Sequence, residues 1–201
     1  MQDNLTKPIG SGDALIIVDM QYDFMPGGAL AIPDGDQLID PITDMMDNFH
    51  RAGAKVVLTQ DWHPAGHSSF TEQGGPWPEH CVQGTNGAEI ARQIDMAASI
   101  IGAPVIHKGS DPAVDSYSGF WDNDRQHETT LRSKLHEYGI TRIFTVGLAL
   151  EYCVGFTNID GNEWFDSFMI VDLTKGLDMT GVEIKDMLDE TPWVHSSQLK
   201  F

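Results

Sequence analysis

The feature that most constrains this chain is a set of short, unbroken apolar runs that recur along it. Residues 14–18 (ALIIV), 55–59 (KVVLT), 103–107 (APVIH), 142–146 (RIFTV) and 168–171 (FMIV) show no alternation of polar and apolar positions. Each is too short for a buried helix, and such runs fit strands covered on both faces, as in a parallel sheet. The segments between them read as the covering helices. Leu38, Ile42, Met45 and Phe49 recur at helical spacing ahead of Gly53, with Pro41 near the start, where proline is tolerated. Further helices are expected over 88–97, 128–138 and 181–189, and another opening over 150–157 behind the strand at 142–146. Strands alternating with helices predict one α/β domain over 13–201, a three-layer αβα sandwich with a mainly parallel central sheet. Residues 1–12 are expected to form a loose tail.

The charge balance narrows the partners. With 12 basic against 30 acidic side chains and a formal net charge of −18, the chain lacks the clustered Lys and Arg that nucleic acid or an anionic membrane surface requires. No apolar run approaches the roughly 18 residues of a membrane helix. The opening MQDNLTKPIGSGD has no signal-peptide core. Two cysteines are too few for a disulfide framework, so a reducing, cytoplasmic setting with free thiols is expected. A small neutral substrate fits this picture, and a homo-oligomer is left open.

Open parallel sheets bind ligands beyond the carboxyl ends of their strands. Asp19 follows the first run, Asp61 and His63 the second, Lys108 the third and Cys153 the fourth, so one sheet edge collects the reactive side chains. Cys153, in GLALEYCV, stands at a strand-to-helix junction, where free backbone N–H groups and the helix dipole favour a thiolate. A nucleophilic cysteine needs a proton acceptor and a cation, and Asp19 and Lys108 supply them. A structural ion pair between those two is the plainer alternative. Asp61 and His63, two apart, share a face of an extended segment, and His80 closes the same long loop. Such an Asp–His–His set suits a divalent transition metal with open positions, zinc first, iron or manganese next. His67 is either a fourth ligand or a supporting residue. Cys81, beside His80, reads as packing.

The segments VDMQYDFMPGGAL, TQDWHPAGHSSF, WPEHCVQGT, HKGSDPAVDSYSGFWDN and VGLALEYCVGFT, in this order, resemble the nicotinamidase (pyrazinamidase) family within the isochorismatase-like cysteine hydrolases. The resemblance spans residues 14–176. It implies the isochorismatase-like hydrolase fold and a catalytic triad on Asp19, Lys108 and Cys153. It implies metal ligands on Asp61, His63 and His80, and pocket residues on Phe24, Leu30, Trp77 and Tyr117. A cis peptide at Leu148–Ala149 is implied beside the oxyanion site. The implied reaction is hydrolysis of nicotinamide to nicotinate and ammonia through a thioester on Cys153, with pyrazinamide also accepted, in NAD salvage. Where the family continues past its cysteine with T-x-x-D-A, this chain has Thr157, Asp160 and then Gly161 and Asn162, which weaken a helix interior. Glu151 stands where the family often has Thr or Asp. A relative acting on carbamoyl or ureido substrates generally lacks the metal set. A protein that only binds metal or ligand has no need of a thiol with a base.

Overall fold

A computed structural model describes residues 7–177 and 181–201 of the chain. Its centre is a six-stranded sheet in the order β3-β2-β1-β4-β5-β6, parallel throughout. The strands are β1 (Asp13–Val18), β2 (Lys55–Asp61), β3 (Val105–Lys108), β4 (Arg142–Leu148), β5 (Asp166–Lys175) and β6 (Trp193–Val194). Every residue of β1 and of β4 is buried, as unbroken apolar runs require of strands covered on both faces. Leu15 and Ile17 of β1 face a layer formed by α1 (Ile39–Arg51) and α2 (Arg92–Ile101). Ala14, Ile16 and Val18 face the other layer, formed by α3 (Leu131–Glu137), α4 (Gly155–Gly161) and α5 (Val182–Glu190). Among the described residues no helix is long and apolar enough to cross a membrane.

Several boundaries differ from the sequence reading, each for a tertiary reason. The helix expected at 88–97 begins at Arg92 and runs to Ile101. Residues before it are extended: Ile90 bridges Gln21, and the Ala91 N–H donates to the Met20 carbonyl at 2.8 Å. The helix expected at 128–138 is trimmed to Leu131–Glu137, because Glu128 bridges Trp121 and Thr129 donates to Phe120 at 2.8 Å. Strand β5 is longer than the run at 168–171, and the two-residue β6 carried no signal of its own. Strand β4 extends past the run at 142–146 to Leu148, so Gly147 lies within it. The register shifts between Thr145 and Gly147, and Gly147 adopts φ 116, with the Val18 carbonyl occupying the space of any side chain.

Residues 1–6 lie outside the described part of the expected tail, and the rest is pinned. Ile9 is buried and its N–H donates to the Lys200 carbonyl at 2.7 Å, while Arg142 donates to the carbonyls of Lys7 and Pro8. One apolar residue in a polar stretch leaves no periodic trace. Gly161 also has a structural reason: a Cβ there would stand 2.6 Å from Ile143 Cδ1 and 3.0 Å from Ser167 Oγ. Close approach of α4 to the sheet offsets its weak helix propensity. The functional consequence of the topology is the reversal of strand order between β1 and β4. It opens a crevice beyond their carboxyl ends.

Candidate active site and metal centre

Asp19 follows β1 in the left-handed region at φ 48, a conformation that costs a non-glycine residue about 1–3 kcal/mol. The turn is locked by Gln21 N–H donating to the Asp19 carbonyl at 2.8 Å. It aims the carboxylate inward, where Thr59 Oγ1 donates to Oδ1 at 2.6 Å. Lys108, last residue of β3, reaches the same space. Its Nζ donates to Asp61 Oδ1 at 3.0 Å, the Ser116 carbonyl at 2.8 Å and Cys153 Sγ at 3.5 Å. Those bonds use its three donors. Asp19 Oδ2, 3.0 Å from Nζ, is therefore held by charge, and it is buried with no directed hydrogen bond.

Cys153 sits in a π turn, Leu150–Val154, that follows the cis peptide Leu148–Ala149. The Ala149 carbonyl accepts from Tyr152 at 3.2 Å and from Val154 at 3.0 Å, passing over the Cys153 amide between them. The buried surroundings oppose the thiolate that the strand-to-helix junction favours. Burial pushes the Cys153 thiol well above its usual range, and the carboxylates of Asp19 and Asp61 add to this against the pull of Lys108. Burial also raises the Asp19 carboxyl, Lys108 and Thr59 offsetting only part. Burial acts likewise on Asp61, but Lys108 and His63 outweigh it and hold that carboxyl well below its usual range. Lys108 stays charged despite burial because Asp19 and Asp61 flank it. The arrangement is thus an amine between two carboxyl groups, with the Cys153 sulfur and an Asp19 oxygen that has no directed hydrogen bond.

Asp61 links this group to the histidines. Its Oδ2 lies 2.9 Å from His63 Nε2 and 3.5 Å from His80 Nε2. His63 Nδ1 meets the Gly109 carbonyl at 2.9 Å, and His80 Nδ1 meets the Pro78 carbonyl at 2.7 Å. A carbonyl only accepts, so each Nδ1 carries the proton and each Nε2 turns a lone pair toward Asp61. His63 Nε2 is buried without a hydrogen-bond partner. Lone pairs facing a carboxylate call for positive charge between them: burial disfavours the imidazolium, yet Asp61 raises His63 above its usual value. Ligands about 2.1 Å from a divalent ion stand about 3 Å apart at right angles and about 3.4 Å apart at tetrahedral angles, and the Asp61–His63 and Asp61–His80 separations fall near these values. Gly109 makes the approach possible, since in its left-handed conformation (φ +64) a Cβ would stand 2.6 Å from His63 Cε1. His67 does not join the Asp61–His80 group. Its Nδ1 pairs with Ser69 Oγ at 2.7 Å, and it clusters with His63 and Asp115.

The cavity beside these groups is lined by Phe24, Leu30, Trp77 and Tyr117 together with Asp61, His80, Lys108 and Cys153. The family model for the isochorismatase domain matches residues 13–185. The chain is 41% identical over 162 residues to the nicotinamidase of Escherichia coli (strain K12), covering 73% of this chain and 75% of that protein. Among solved structures, pyrazinamidase of Pyrococcus horikoshii in complex with zinc superposes with a TM-score of 0.78 at 38% identity, over 92% of this chain and 99% of that one. PnC1 from L. infantum in complex with nicotinate gives a TM-score of 0.86 at 36% identity, over 96% and 98%. The chain belongs to the nicotinamidase group of the isochorismatase family.

Within this nicotinamidase-group cavity the sequence reading missed Asp115, Ser116, Tyr152 and Leu177. Tyr152 stands edge-on to Trp77, with ring centres 5.0 Å apart, and 5.5 Å from Tyr117, whose hydroxyl accepts from Trp77 Nε1 at 3.2 Å. Adjacency to Cys153 was the available signal for Tyr152. Leu177 lies after β5 in a stretch without periodicity and offered none. Cys81, as expected, is fully buried; its N–H donates to Asp23 Oδ2 at 2.7 Å.

Proposed function

We propose that this chain hydrolyses nicotinamide to nicotinate and ammonia, and pyrazinamide likewise, as a cytoplasmic enzyme of NAD salvage. The observation that carries the reading is the contact of Lys108 with Asp19, Asp61 and Cys153 at once, beside a cavity that His80 lines and with His63 joined to the group through Asp61. Its membership of the nicotinamidase group supplies the substrate class.

Asp19, with an oxygen to spare beside the thiol, takes the Cys153 proton as sulfur bonds to the amide carbon. Lys108 holds the charge on the reacting pair. Backbone N–H groups of Ala149 and Cys153 receive the oxyanion, a contribution of about 3 kcal/mol per donor. When the C–N bond breaks, Asp19 returns the proton to the departing nitrogen and ammonia leaves. Asp19 then removes a proton from water as it attacks the thioester, and the released sulfur regains a proton. Phe24 and Trp77 flank the ring. A divalent ion held by Asp61, His63 and His80, zinc first among candidates, would act as a Lewis acid that orients the ring and draws charge from it.

Ammonia release from nicotinamide by the purified protein, beside metal analysis of the same sample, tests this. Cys153→Ala should keep its fold and metal and lose turnover by roughly 10⁴-fold or more. Turnover near the parent rate would reject the nucleophile.

A further inference from the structure

Immediately before the nucleophile stand Glu151 and Tyr152, which contact residues 176–177 after β5 and Glu183 in α5. Glu151 is 5% exposed, a charge buried in an otherwise apolar run. Its Oε1 accepts the Leu177 N–H at 2.6 Å. Its Oε2 lies directly against Gly176, in the space any side chain there would need. A carboxylate thus fills the inside of the bend 175–177, and glycine is what lets the chain wrap it. On the far side of residues 178–180, Tyr152 Oη donates to Glu183 Oε2 at 3.3 Å in the first turn of α5. Behind them Met187 of α5 sits where a side chain of Gly155 would project. The turn that carries Cys153 therefore also seats the bend 175–177 and the first turn of α5, and Leu177 of that bend lines the cavity.

We propose that Glu151 is a positioning residue: by fixing the Leu177 amide it sets Leu177 as a wall of the cavity and so determines which ring substituents the site admits. This rests on the reading of the cavity as a pyridine-carboxamide site. Removing the carboxylate frees the bend, the wall retreats, and the substrate loses contact and restraint while the sulfur, amine and Asp19 keep their places. Binding and ring selectivity should change more than the chemical step. An apolar contact of this size is worth about tenfold or more in discrimination between ring substituents.

The test compares the parent with Glu151→Ala, Glu151→Gln and Leu177→Ala on nicotinamide and a 5-methyl-substituted nicotinamide, beside hydrogen exchange at Leu177. Glu151→Ala should raise KM for nicotinamide about tenfold with kcat within about threefold. It should also shift the preference toward the substituted ring and speed exchange at Leu177. Glu151→Gln, whose amide oxygen accepts the same bond, should restore both readouts, and Leu177→Ala should reproduce the selectivity shift without touching Glu151. Equal losses on both substrates, an unchanged KM, or Leu177 exchange indifferent to Glu151 would overturn the proposal. If Glu151→Ala fails to fold, Leu177→Ala decides, and parent-like selectivity in it overturns the wall. Absence of ammonia release from nicotinamide by the parent would sink the functional reading instead. Exchange at Leu177 that depends on Glu151 would still support the positioning contact.

Discussion

The sheet carries buried charge at both ends of its strands, and the two ends are built differently. At the amino ends Asp13 and Arg142 form a two-pronged pair, Nε to Oδ1 at 2.6 Å and Nη2 to Oδ2 at 2.8 Å. The leftover capacity is used: Gly10 N–H donates to Asp13 Oδ2 at 2.7 Å, and the guanidinium donates to two backbone carbonyls of the N-terminal segment. At the carboxyl ends one ammonium serves two carboxylates, a carbonyl and a thiol, while Asp19 Oδ2 and His63 Nε2 are left without directed bonds. Asp19 adds a strained backbone. The first end uses charge to fix the chain. The second keeps polar atoms unspent, which is what a site needs if substrate and metal are to complete it.

Asp19→Asn makes the sharpest test of that difference. It removes the proton acceptor, so turnover should fall roughly 10³-fold. The melting temperature should hold, because an amide in this crowded pocket relieves a charge that burial disfavours. A large stability loss would place Asp19 among structural residues. Arg142→Met should do the reverse. It leaves the Asp13 carboxylate buried and unpaired, at a cost of about 3–5 kcal/mol. For a domain of this size that corresponds to a fall of about 10 °C in melting temperature. Ammonia release per folded molecule should remain within about twofold, since Arg142 lies at the opposite end of the sheet from Cys153. Denaturation and activity measured on one preparation separate the two outcomes.

The reactive end was the more legible of the two. Asp19, Asp61, Lys108 and Cys153 each follow or close an apolar run, and a parallel sheet sends those positions to one edge, so local sequence was enough. His63 and His80 came from residue type and from a loop too long to be idle. What stayed hidden depends on contacts distant in sequence. The extended segment before α2 is held by Met20 and Gln21, and the two residues of β6 exist only as partners of Met169 and Ile170. The Asp13–Arg142 pair joins residues 129 apart, and nothing near either one announces the other. Glu151 was an unused signal, since a buried charge in GLALEYCV requires partners somewhere, and the backbone at Leu177 is one of them.

The smallest effect concerns acid, and it separates a satisfied carboxylate from an unsatisfied one. Asp122 is buried but accepts from the N–H groups of Gln126 and His127 and from the His127 ring. Burial pushes its carboxyl up, those donors outweigh it, and the folded value lies below 3.8. A depressed carboxyl lends stability above the unfolded value, and that stability is lost as pH falls through the folded one. Asp19 moves the opposite way, raised above 3.8 by burial and by Asp61. Its protonation therefore comes first on acidification and removes the base while Asp122 is still ionised. Turnover should fall at a pH above 3.8 at which the melting temperature has not fallen, since a carboxyl raised by folding adds stability as it protonates, and only further acidification should lower stability. Coincident losses of rate and stability, measured across one pH series, would show that the two carboxylates do not differ in the way their hydrogen bonds indicate.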